Sequence, residues 1–120
     1  MALAYSVTLL ADHKGIAAPK VHGDEYYVDA VIDVTSAVAA GSVIPASALG
    51  LSTISAVLIT GSDNPNNSTN DIAVKVECSA TGGYESGTSF ALMFTTVASG
   101  TTISDDANGG STRVRVYGLI

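Results

Sequence analysis

The sequence predicts an all-β protein: an antiparallel β-sandwich, jelly-roll-like, in a single domain spanning 1–120, with a small barrel as the second architecture. Three observations predict it. Period-two alternation of apolar and polar residues recurs along the chain. Gly-, Asn- and Asp-rich turn signals separate the alternating segments. Only one bracket, from Pro45 to Gly50, carries helix chemistry, and it is one turn long.

The elements follow in order. Tyr5, Val7 and Leu9 alternate as a first strand. The N-terminus lacks the basic region of a signal peptide. Residues 1–20 are expected to form a partly extended arm, and the end segments Met1 to Lys20 and Tyr117 to Ile120 to be free to reach neighbours. Tyr26, Val28, Ala30, Ile32 and Val34 form the core face of a second strand, so Tyr26 is expected to face inward. Tyr27, Asp29, Asp33 and Thr35 take the other side. Ala37 to Gly41 is rich in Ala but too short for a helix.

Gly41 to Gly61, GSVIPASALGLSTISAVLITG, has no charge and no aromatic ring. Pro45 and Gly50 bracket a single helical turn. An apolar strand follows from Leu51 to Thr60, with Val57 and Ile59 on one side and Ala56 and Leu58 on the other. It is expected to be buried on both faces, either within its own domain or against a partner chain. Ser62 to Asp71 is a polar loop. Ile72, Val74, Val76 and Cys78 then alternate with Ala73, Lys75 and Glu77. Thr81-Gly82-Gly83 is a turn. Phe90, Leu92 and Phe94 alternate with Ala91, Met93 and Thr95. Ser99 to Ser111 is a connection, and Val114 and Val116 alternate with Arg113, Arg115 and Tyr117 in a last strand.

Composition narrows function by exclusion. The chain is 47% hydrophobic but only 13% charged, against about 25% in an ordinary soluble domain. A surface so poor in charge repels neighbours weakly, which suits a subunit of an assembly. The net charge is -6 with five basic residues spread along the chain, so no nucleic-acid partner is expected. No apolar run reaches the ~18 residues of a membrane span, so no membrane association is expected. One cysteine, Cys78, allows neither an internal disulfide nor a thiolate zinc site, and its place on the apolar side of a strand marks it as a buried small hydrophobe.

Candidate chemistry is sparse. His13, in ADHKG, and His22, in KVHGDE beside Asp24 and Glu25, lack the spacing of a metal site and are expected in solvated loops. Asp29 and Asp33 share a strand face roughly 13 Å apart, beyond the ~5–9.5 Å of glycosidase carboxyl pairs. Each is instead placed to pair with Arg113 or Arg115 on a neighbouring strand. The oxygen-rich loops Asp63 to Asp71 and Asp105 to Asn108 have donors that calcium takes, but Pro65 breaks the EF-hand alternation and no closing Glu follows. Asn67-Ser68-Thr69 is a glycosylation sequon, with meaning only in a secreted chain. No G-x-S-x-G elbow, S-x-x-K, P-loop or dinucleotide fingerprint is present. The expectation is a non-enzyme with no catalytic residue, no cofactor, no metal and no small-molecule substrate. Five scattered tyrosines, Tyr5, Tyr26, Tyr27, Tyr84 and Tyr117, are the material available for a sugar-stacking face.

Several phrases together resemble small tailed-bacteriophage head decoration, or capsid cement, proteins. They are Tyr26-Tyr27-Val28-Asp29, Ala39-Ala40-Gly41-Ser42-Val43-Ile44, Pro45-Ala46-Ser47-Ala48-Leu49-Gly50-Leu51-Ser52 and Arg113-Val114-Arg115-Val116-Tyr117-Gly118. The resemblance covers Tyr26 to the end, and the ASALGLS phrase is its most distinctive part. It departs from the pattern in having Ala40-Gly41 where Gly-Gly is usual and in its long Asn-rich loop. It implies a jelly-roll-like sandwich, made in the bacterial host cytoplasm, that sits on the outer surface of the virion head. It also implies a homotrimer bound to the major capsid protein, stabilising the lattice. Two other virion roles fit the composition: a carbohydrate- or receptor-binding module of a tail or fibre, and a head-completion or tail-tube subunit.

Overall fold

The computed structural model describes residues 3–38, 41–63, 72–78, 87–97, 100–103 and 107–120, without the side chains of His22 and Cys78. The chain is all-β, as expected, with two antiparallel sheets sharing one core. The strands are β1 (Ala4–Leu9), β2 (Lys20–His22), β3 (Glu25–Ser36), β4 (Ser42–Pro45), β5 (Thr53–Asp63), β6 (Ile72–Cys78), β7 (Ser89–Thr96), β8 (Thr101–Thr102) and β9 (Gly110–Leu119). One sheet runs β1-β3-β9-β5 with β2 also on β3, and the other runs β4-β7-β6 with β8 on β7.

Alternation decides which side chains meet between the sheets. From the first sheet come Val28, Ala30, Ile32 and Val34 of β3, Val114 and Val116 of β9 and Ile54 of β5. Ile44, Phe90, Leu92 and Phe94 face them from the second. Tyr5, Val7, Leu9 and Tyr26 pack against this cluster from its margin. Thus Tyr26 faces inward, and Tyr5, Val7 and Leu9 line one side of an edge strand.

Both terminal expectations need correction. Residues 4–9 are not part of an arm, because β1 pairs with β3 from Ala4–Ser36 to Leu9–Ala30. Leu10 N–H donates to the Asp29 carbonyl, and β2 then resumes the same edge opposite Glu25 to Tyr27. β1 and β2 are therefore one edge line interrupted by the excursion of residues 10–19. At the other end, β9 runs through Leu119 opposite Thr53, so Tyr117 to Leu119 are held in the sheet.

The ASAL segment forms one turn of 3₁₀ helix, Ala46–Leu49, carrying the chain from the second sheet back to the first. Gly50 closes it at φ 79°, a left-handed conformation that costs a glycine little, and its N–H donates to Ser47 O. Leu49 and Leu51, either side of it, are buried.

β5 departs most from expectation. It spans Thr53–Asp63 as an edge strand of its sheet, and its own domain covers only one of its two faces, so the alternative of burial on both faces within the domain fails. Its pairing with β9 shifts between Ile54 and Ala56, so Ser55 has no partner across the ladder. That extra residue brings Ile54, Val57 and Ile59 all to the inner side, where they pack on the core. The apolar run therefore needs only one core. Its outward residues are left over, and Leu58 is 52% exposed. Ile54 N–H also donates to Gly87 O at 2.6 Å, tying the start of β5 to the second sheet.

Among the described residues, one buried side-chain polar group lacks compensation. Thr112 on β9 is fully buried and its Oγ1 has no hydrogen-bond partner, whereas the buried Ser42 Oγ accepts from Val38 N–H at 3.2 Å. An orphaned buried hydroxyl costs about 1–3 kcal/mol, and valine has the same shape without it. Thr112→Val is expected to raise the unfolding free energy by about 1 kcal/mol. Chemical denaturation checks this, and equal or lower stability would show that the hydroxyl is satisfied in solution.

Candidate functional site

The solvent face of the β1-β3-β9-β5 sheet gathers the distinctive surface chemistry. Because Val28, Ala30, Val114 and Val116 point inward, the intervening Tyr27, Asp29, Val31, Arg113, Arg115 and Tyr117 point out. The register places Asp29 opposite Arg115 and Tyr27 opposite Tyr117. Three of the chain's five basic residues, Lys20, Arg113 and Arg115, lie on this face.

At its centre Arg115 grips Asp29 with both ends of its fork. Nε donates to Oδ1 at 2.8 Å and Nη2 to Oδ2 at 2.9 Å. The guanidinium also lies 4.6 Å from the centroid of the Tyr27 ring, with Lys20 Nζ at 5.9 Å from the same ring. The Tyr27 and Tyr117 rings are 6.2 Å apart at a tilt of 44°. The hydrogen bonds from Arg115 hold the Asp29 carboxyl below its ordinary range, with burial opposing them. A connected cluster of polar and aromatic groups thus paves the middle of the sheet.

Two regions flank this cluster. Toward the C-terminus an apolar stripe follows the β5–β9 seam: Leu58 opposite Arg115, Ala56 opposite Tyr117, and Leu119, 48% exposed, opposite Thr53. The Ser55 bulge is pinned here, its Oγ donating to Glu25 Oε2 at 2.6 Å. At the other end lies a shallow depression of about 260 Å³ lined by Val31, Gly61, Ser62, Asp63, Ser111 and Arg113.

The structure unites some of the residues singled out in the sequence and leaves others apart. The pairing of Asp29 with an arginine is realised with Arg115. Among the described residues the expected arginine partner of Asp33 is not found: Asp33 lies opposite Ser111. Tyr27 and Tyr117 meet, while Tyr5 and Tyr26 belong to the core margin. His13 is exposed in the turn following β1, where Asp12 accepts hydrogen bonds from the N–H groups of Lys14 and Ile16. These bonds, Ile16 first, lower the pKa of Asp12. His22 pairs through its backbone with Glu25, and Cys78 through its backbone with Phe90. Among the described residues no three His, Cys, Asp or Glu side chains converge as metal ligands, and no helix is long and apolar enough to cross a membrane. Asn67-Ser68-Thr69, Pro65, the turn at 81–83, Tyr84, Ala39-Ala40 and Asp105 lie outside the described residues. Sequence reasoning placed Ala56 and Leu58 on the second apolar face of the run, but it missed their alignment with Leu119 and the depression, because both depend on how the bulged β5 sits beside β9.

Comparison with protein families, with curated proteins and with solved structures finds no significant match for this chain.

The Asp29–Arg115 pair makes stability pH-dependent. Its carboxyl has a lower pKa folded than unfolded, so the pair's contribution is complete above the unfolded value, about 3.9, and lost as pH falls through the folded value. Arg115 is 39% exposed, which screens the pair. Asp29→Asn is expected to cost about 1 kcal/mol at pH 7, and the difference from the parent protein should shrink below about pH 4. Urea titrations at both pH values check this; a difference unchanged at low pH would show that the charge contributes nothing.

Proposed function

We propose that the protein is a decoration, or cement, subunit on the outer surface of a tailed-phage head, acting as a homotrimer bound to the major capsid protein. The observation that carries this reading is the uncovered apolar stripe on the β5–β9 seam, with Leu58 and Leu119 each about half exposed beside Ala56 and Tyr117. A chain this poor in charge, whose domain leaves Leu58, Ala56 and Leu119 along one sheet face, suits burial against another subunit. The resemblance carried by the ASALGLS phrase and the RVRVYG strand supports the same reading. In the fold those two segments are joined: Ser52 N–H, just after the Gly50 turn, donates to Leu119 O at 2.7 Å.

The mechanism is mass action. A subunit that binds the assembled lattice and not its dissociated parts stabilises the lattice by its binding free energy. Many copies, each held through a trimer, turn modest contacts into strong attachment. The Asp29–Arg115–Tyr27 cluster beside the seam is already joined by hydrogen bonds and a ring contact, which lowers the ordering entropy lost on docking.

Incubating the purified protein with expanded heads of its own phage is expected to give saturable binding and a higher head melting temperature. Leu58→Asp, at a half-exposed position, should leave the subunit's own melting point nearly unchanged and weaken head binding at least about tenfold, or ~1.4 kcal/mol. Absence of binding to any head lattice would overturn the reading, and unimpaired binding by the variant would remove the seam from it.

A further inference from the structure

The entry to β9 carries a reactive dipeptide. Of the chain's five asparagines only Asn108 precedes a glycine. Asparagine is thermally labile, because the main-chain nitrogen of the next residue can attack its carboxamide, and glycine puts no side chain in the way. In that reaction a bond forms between Gly109 N and Asn108 Cγ, closing a succinimide ring, and the Cγ–Nδ2 bond breaks. Nδ2 leaves as ammonia with the proton of Gly109 N–H. Water then opens one of the two ring carbonyls. One opening gives aspartate, the other an isoaspartyl link in which the main chain runs through the former side chain. The sequence is redox-neutral and needs water alone.

The fold both requires this dipeptide and guards it. Gly109 is buried, and a Cβ there would stand 2.7 Å from the ring of Phe94, which is itself buried, so a residue with a side chain cannot take the place of the glycine. The attacking nitrogen is engaged, Gly109 N–H donating to Val34 O at 2.9 Å. The carboxamide is held as well, Asn108 Oδ1 accepting from Gly110 N–H at 3.0 Å. One residue earlier, Ala107 O accepts from Ala37 N–H at 2.9 Å. Attack therefore waits until this corner opens and the bonds at Gly109 and Gly110 are released. Asn108 is exposed, so water reaches it throughout.

We propose that Asn108 is a site of self-modification by deamidation, gated by release of the start of β9 from Val34, and that the isoaspartyl product prevents the corner from closing again. That product lengthens the main chain by one atom just before Gly109 and Gly110, where a buried glycine lies against Phe94 and the next, at φ 80°, lies opposite Val34. Aspartate, by contrast, keeps the acceptor for Gly110 N–H. The proposal does not rest on the lattice reading.

The test is incubation of the full chain at mildly alkaline pH, in buffer and in concentrated urea, with isoaspartate at 108 followed by peptide mapping. If reaction proceeds only from the opened corner, its rate follows the opened fraction, and it is expected to be at least about tenfold slower in buffer than in urea. Phe94→Leu, its spectrum confirming the fold, should react faster than the parent in buffer and at the parent's rate in urea. The isoaspartyl fraction, separated by chromatography, should unfold at a lower denaturant concentration than the parent, while Asn108→Asp unfolds close to it. Equal rates in buffer and urea, or no isoaspartate at 108 in urea, would overturn the proposal. An isoaspartyl fraction as stable as the parent would overturn its second half.

Discussion

The structure depends on the double role of β9. This strand lies between β3 and β5, pairing with both over most of its length. Its inward side supplies Val114 and Val116 to the core, while its outward side supplies Arg113, Arg115 and Tyr117 to the solvent face. A slip of one residue would bury the arginines and expose the valines, so the register is strongly fixed. Two further contacts reinforce it. Arg115 reaches across to Asp29 on β3, and Gly118 passes so close to the backbone of β5 that a Cβ there would collide with the Thr53 carbonyl. The side chain missing at Gly118 is what allows the start of β5 to cross toward the second sheet and pair Ile54 with Gly87.

From that constraint follows the division of the outer face. The centre is occupied by a satisfied ion pair and two tilted tyrosine rings and has little unmet bonding capacity. Its two ends are different. One is an apolar seam that a single copy of the domain does not cover; the other is a concavity with an uncommitted arginine. The proposed lattice contact uses the first end and rests on water excluded from Leu58 and Leu119.

Much of the fold was legible because strands announce themselves by alternation. Tyr26 to Val34, Ile72 to Val76, Phe90 to Phe94 and Arg113 to Tyr117 each show which side meets the core; alternation puts Asp29 and both arginines on outward faces, and the register then selects Arg115. The Pro45–Gly50 bracket was legible because a left-handed closing residue leaves a glycine behind. β5 was not, since nothing in ISAVLI marks Ser55 as the residue the ladder skips; without the bulge, a continuous apolar run implies two buried faces. The edge formed by β1 and β2 was hidden in another way. Its two halves are separated by the polar excursion 10–19, so Val21 and Leu9 have no visible relation until both pair with β3. The candidate site lies on β9 and β5 together, and only their register brings Gly61 beside Arg113 and Leu58 beside Arg115.

The central functional claim is that the β5–β9 seam is covered when the protein sits on its lattice. Hydroxyl-radical footprinting of the free protein and of the protein bound to heads tests it most directly. The account predicts that Leu58, Tyr117 and Leu119 react readily in the free chain and become protected on heads, while Val43 and Val97, exposed elsewhere on the molecule, keep their reactivity. Protection of Val43 or Val97 with Leu58 and Leu119 unchanged would contradict it.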